Sequence, residues 1–178
     1  FYAGHEDAYD YLVIFNNLGV PAGSGGVLAY EVTVRNRGTG FGDQVVDMGR
    51  EYGSRARLQA VMNMGPLDQY PDDPNQRITQ RSSGDTPLTI LAHEAGHRFL
   101  AFASVRDPSD PFARPMLGYQ GAHWFFGFNA EASVVDGNRV RDNGVNAFPR
   151  FETTGAVEAF SPLDQYLMGL RGPHELAE

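Results

Sequence analysis

The chain has 178 residues, 42% of them hydrophobic and 12% aromatic, which is enough to bury one globular core, and a single domain over 1–178 is expected. With 22 Asp and Glu against 14 Lys and Arg, the net charge of −8 argues against a nucleic-acid partner, and no apolar run is long enough for membrane insertion as a helix. Cysteine is absent, so disulfides, cysteine zinc sites and thiol nucleophiles are excluded, and any metal must be held by His, Asp or Glu.

The first predicted element is the apolar run Tyr11-Leu12-Val13-Ile14-Phe15, closed by Asn16-Asn17, which reads as a buried strand ending in a turn. Residues 27–35 alternate, with Leu28, Tyr30, Val32 and Val34 on one face and Ala29, Glu31, Thr33 and Arg35 on the other, as a half-buried strand requires. The glycine-rich stretch RGTGFGD at 37–43 lacks both the G-x-G-x-x-G spacing and a following Gly-Lys-Ser/Thr, so it is read as a loop and not a phosphate cradle. Residues 58–64 (LQAVMNM) form a third expected strand, followed by a polar, proline-bearing loop to Gly84.

The pattern then becomes helical. Asp85-Thr86-Pro87 is a helix start, with a capping side chain and a proline whose missing N–H costs nothing in the first turn. Leu88, Leu91, Ala95, Phe99 and Phe102 recur at steps of three and four, which predicts a core-facing stripe on a helix running to about Ser104. Residues 123–135 and 148–151 are expected to be extended, joined through the turn signals Asp136-Gly137-Asn138 and Asn143-Gly144. A final helix should begin at Ser161-Pro162, with Asp164 closing a capping box. This order of strands, helix, strands and helix defines an α+β chain.

The segment with chemical content is His93-Glu94-Ala95-Gly96-His97. On a helix, residues i and i+4 share a face, so both imidazoles can bind one metal, while the intervening carboxylate is rotated by roughly 100° and can reach a water instead. A chain of this composition contains H-E-x-x-H by chance only about once in two hundred, before a capped helix is required around it. Two solvated histidines on a surface helix are the alternative reading.

At these residues the chain resembles the zincin metallopeptidases, in which such a helix supplies two zinc ligands and the general base. The resemblance implies a zincin-like α+β fold, a mixed twisted sheet with the motif helix and a C-terminal helix, and a zinc cofactor. It also implies a peptide or protein substrate, hydrolysed with Glu94 as base. By the same analogy, residues 58–64 would be the edge strand that aligns the substrate. The metzincin continuation is missing, because Leu100 stands at its glycine and Ala103 at its third histidine.

The third ligand must therefore lie further along. His123, at the entry to Trp124-Phe125-Phe126, is the first candidate, with a hydrogen-bonded structural histidine as its alternative. Asp164 on the final helix is the rival, since some zincins take an acidic ligand there, although it could equally be a helix cap. Glu131 and Glu158 complete the field. Tyr166 or Tyr119 could donate a hydrogen bond to the oxyanion, and Met168 is read as a core methionine in preference to a floor beneath the metal. The Asp136–Gly144 region fails the order of an EF-hand loop and is better explained by turns.

The function expected from the sequence is zinc-dependent peptide-bond hydrolysis, and the alternative is a non-catalytic, zinc-stabilised binding or structural module. Hydrolysis of another amide or of a glycan-linked bond would use the same machinery in a different cleft. The chain reads as part of a longer protein, and a secreted or extracytoplasmic setting is expected because broad proteolysis inside a cell is hazardous.

Overall fold

A computed structural model of the chain describes residues 1–36, 45–79, 84–100, 103–105 and 107–176. The expected 37–43 loop and Phe102 lie outside them. The described residues are α+β, with small sheets and two α-helices, and they divide into compact units at Phe1–Asp72 and Asp73–Glu178. No helix among them is long and apolar enough to cross a membrane.

The first unit carries a mixed three-stranded sheet of β1 (Tyr11–Asn16), β2 (Tyr30–Thr33) and β3 (Ala60–Pro66), in the order β1-β3-β2. β1 runs parallel to β3 with Tyr11 opposite Ala60, and β2 runs antiparallel with Thr33 opposite the same residue. Two expectations change here. β1 is an edge strand whose Val13, Ile14 and Phe15 are exposed, so its continuous apolar run does not mark burial. β3 is the central strand and is buried along nearly its whole length. Its backbone is paired on both sides, so it has no free edge on which to align a substrate.

Val34, Leu58 and Val61 form the buried cluster of this unit, with Tyr2 and Leu12 packed against it. Next to it, the Asp7 carboxylate ties the N-terminal segment to residues 54–57. It accepts from Ser54 Oγ at 2.8 Å, Arg55 N at 2.7 Å and Ala56 N at 2.8 Å. Arg35 donates to Ser54 Oγ and to the Leu58 carbonyl, fixing the approach to β3.

The second unit contains α1 (Pro87–Leu100), a hairpin of β4 (Asn138–Asp142) and β5 (Phe151–Ala156), and α2 (Pro162–Leu167). α1 starts where the cap signals place it. Thr86 Oγ1 accepts from Thr89 N, and Thr89 Oγ1 accepts from Thr86 N, so two otherwise orphaned donors are satisfied reciprocally. The core-facing side of α1 differs from the expected stripe: its buried residues are Ile90, Glu94, Gly96 and Leu100, while Leu88 is exposed. Gly96 explains the choice, because a Cβ there would lie 2.7 Å from Val135 Cγ2 and 3.5 Å from Phe160 Cε1. The helix packs through its glycine, and the motif face turns inward with it.

Residues 123–135, expected as a strand, form instead an irregular loop around Trp124. Trp124 N donates to Val135 O, Phe125 N to Met116 O, and the indole Nε1 to Ser133 Oγ. Ala132, Ser133, Val134 and Val135 are all buried in succession, a pattern that belongs to no two-residue strand period. Trp124, Ala130, Val134 and Val135 join Leu100 and Ala103 in the core of this unit, with Phe160, Leu163 and Leu167 packed on it. α2 carries the expected box: Ser161 Oγ accepts from Asp164 N at 3.1 Å, and Asp164 Oδ2 accepts from Ser161 N at 2.7 Å.

Candidate metal centre

α1 projects His93 and His97 one turn apart, and the loop after Ala122 brings His123 against them. Each of the three offers one nitrogen lying within 4.8 Å of the others, and among the described residues this is the group able to hold a metal ion. The ring centroids are 4.6 Å (His93–His97), 4.8 Å (His97–His123) and 5.1 Å (His93–His123) apart. Three imidazoles bound tetrahedrally through nitrogens at about 2.0–2.1 Å from one zinc ion would have centroids about 5 Å apart. The donor set therefore fits a single small divalent cation.

Backbone carbonyls orient two of the rings. His93 Nδ1 donates to Val134 O at 2.8 Å and His123 Nδ1 donates to Tyr119 O at 2.9 Å, which fixes the tautomer and leaves each Nε2 lone pair free for a cation. His97 Nδ1 is buried without a hydrogen bond. The Ala122 backbone lies near enough to favour its protonated form slightly, but not in bonding geometry. An orphaned nitrogen in a cluster of three imidazoles is a polar cost that a cation bound at Nδ1 itself would remove.

The electrostatics agree with a cation site. Burial, together with the neighbouring His93 and His123, pushes His97 down to about 3. Burial also lowers His93, although Asp136, the Val134 carbonyl and Asp85 oppose the shift. Both rings are thus neutral at neutral pH, with lone pairs available and no proton to displace. For the same reason, the approach of Asp136 to His93 at 3.9 Å is a polar contact and not an ion pair.

Glu94 lies on the inward side of α1 and is only 5% exposed, within a turn of both motif histidines. Asp164 is 3% exposed, and both its oxygens are engaged: Oδ1 accepts from Trp124 Nε1 at 2.9 Å and Oδ2 from Ser161 N. It caps α2 and anchors the indole, and it is not part of the histidine group. Glu131 and Glu158 pair with Arg139, the latter at 2.7 Å. Tyr166 is half-buried on α2, whereas the Tyr119 ring lies 5.8 Å from that of His123. Met168 lines a narrow crevice with Gly96, Phe99 and Leu100, a packing position between the two helices.

Two acidic residues near the histidines were not singled out from the sequence. Asp136 brings Oδ2 to 3.6 Å from His123 Nε2, and Asp85, buried at the start of α1, acts on His93 electrostatically. Asp136 was legible only as a turn residue and Asp85 only as a helix start. No spacing rule connects Asp136 to a histidine in an earlier loop, or Asp85 to a histidine about two turns further on.

No protein-family model matches this chain, and no curated protein or solved structure is significantly similar to it.

Proposed function

We propose that this chain is a zinc-dependent hydrolase of peptide bonds, of the zincin kind, with His93, His97 and His123 as the metal ligands and Glu94 as the general base. The observation that carries this reading is the convergence of three imidazoles, two of them on the helix that also buries Glu94. The His-only donor set suits zinc, which when bound would act as a Lewis acid toward a carbonyl and lower the pKa of water to about 7.

The chain's own residues supply the rest. The Val134 and Tyr119 carbonyls hold His93 and His123 in the tautomer that presents Nε2. Glu94 takes a proton from the attacking water on its carboxylate and passes it to the nitrogen of the departing amine, which could not leave as an anion. Tyr119, lying against His123, is favoured over Tyr166 as the donor to the developing oxyanion.

The test is Glu94→Gln, assayed by zinc titration and by cleavage of a fluorogenic peptide library. Zinc affinity should be kept and cleavage should fall by about 10²–10⁴-fold, the usual worth of a positioned base. Cleavage at the wild-type rate by the zinc-loaded variant would refute the role of Glu94. A second reading, a zinc-stabilised module without turnover, draws on one observation: Asp136 brings a carboxylate oxygen to 3.6 Å from His123 Nε2, beside the same centre. It predicts zinc binding with no cleavage by the wild type.

A further inference from the structure

We infer that Asp136 is a fourth ligand of this centre at rest, a carboxylate that closes the metal's solvent side and gives way when a substrate carbonyl arrives. This rests on the histidine centre proposed above and adds to it a self-capping carboxylate that governs access.

The first support is distance. Two ligand atoms at about 2.0–2.1 Å from one tetrahedral zinc are about 3.3–3.4 Å apart. Asp136 Oδ2 stands 3.6 Å from His123 Nε2, within a few tenths of an ångström of that spacing. The other oxygen lies 3.9 Å from His93 Nδ1, the nitrogen that donates to Val134 O, so Asp136 borders the group of three histidines and reaches its metal by a turn of its exposed side chain.

The second support is the way the residue is held. Asp136 has φ +56, in the left-handed region that costs a residue with a side chain about 1–2 kcal/mol. The next residue allows no slack: a Cβ on Gly137 would lie 2.6 Å from Ser133 Cβ and 2.8 Å from Ser133 N. The turn is anchored by Gly137 N donating to Ser133 O, while Val134, two residues before Asp136, accepts from His93. One short segment thus orients a ligand ring and aims a carboxylate at the same centre.

The third support is exposure. The side chains of His93 and His123 are 15% and 11% exposed, whereas that of Asp136 is 55% exposed. The carboxylate therefore stands on the side from which a substrate must come. A ligand on the open side can leave without disturbing the core, which a purely structural fourth ligand has no reason to do.

The experiment uses the chain with Asp136→Asn and Asp136→Gly. Asparagine tolerates the left-handed backbone and glycine is free in it, so both variants should fold, as circular dichroism will check. Zinc titration should show affinity falling about 10–100-fold in both, more in the glycine variant, which keeps no oxygen. The visible absorption of the cobalt(II)-substituted protein should change in energy and intensity. Acetohydroxamate, a probe that competes for the open position, should bind either variant more tightly than the wild type. Wild-type zinc affinity with an unchanged cobalt spectrum in both variants would overturn the assignment of Asp136 and leave the histidine centre standing. If His97→Ala also binds zinc as the wild type does, the histidine centre itself fails, and the Asp136 assignment with it.

Discussion

Replacing Asp164 with alanine separates a cap from a ligand. Asp164 is buried, and its oxygens accept from Ser161 N at 2.7 Å and Trp124 Nε1 at 2.9 Å. The variant leaves the Ser161 N–H unsatisfied in the interior, which is the half of the capping box that it removes, at about 1–3 kcal/mol. The indole loses less, because its N–H is shared with Ser133 Oγ at 3.1 Å. A net loss of about 1–3 kcal/mol is expected, with Asp164→Asn losing about half as much because one acceptor remains. Urea unfolding of the metal-free chain measures the stability, and zinc titration of the folded variant measures the site. Stability should fall while zinc affinity holds. Loss of zinc binding with unchanged unfolding would show Asp164 to be a ligand and refute the capping account.

Gly96→Ala gains about 1 kcal/mol of helix propensity but forces a Cβ to 2.7 Å from Val135 Cγ2, at about 1–3 kcal/mol of overpacking. A double-mutant cycle with Val135→Ala should therefore show a coupling of about 1 kcal/mol or more, and strict additivity would refute the steric account. In the first unit, burial pushes the Asp7 carboxyl up, but the Ala56, Arg57 and Arg55 amides and the Ser54 hydroxyl together outweigh it and hold the group at about 2, below its ordinary 3.8. Its contribution is complete above about pH 3.8 and is lost as pH falls toward 2, because the unfolded chain takes up the proton first. Asp7→Asn should lower stability at neutral pH and flatten its decline between those two values. An unchanged acid profile in urea unfolding would refute this.

Much of the second unit was legible in local sequence. The start of α1 at Thr86-Pro87, the capping box at Ser161 and Asp164, and the pairing of His93 with His97 on one face all follow from interactions within a turn or two of helix. Such interactions need no partner from elsewhere in the chain, and that is why they can be read without one. In the first unit the three strands appear near their expected positions for the same reason, since extended runs of apolar and β-branched residues declare themselves locally.

What the tertiary structure alone decided was which faces are buried and which distant residues meet. The apolar run of β1 went to a sheet edge and β3 to its centre, because strand order depends on pairings that no single strand encodes. α1 buried its Ile90–Glu94–Leu100 side in place of the more apolar stripe, because Gly96 permits an approach to Val135 that no side chain would. His123 joined the motif histidines, and Asp136 came to face them, through an irregular loop wound around Trp124 with left-handed turns at Glu131, Ala132 and Asp136. Such a loop is held by packing and by bonds to carbonyls far along the chain. The sequence alone determined that two histidines and a glutamate share a helix turn; the third imidazole and the nearby carboxylate are products of the folded packing around them.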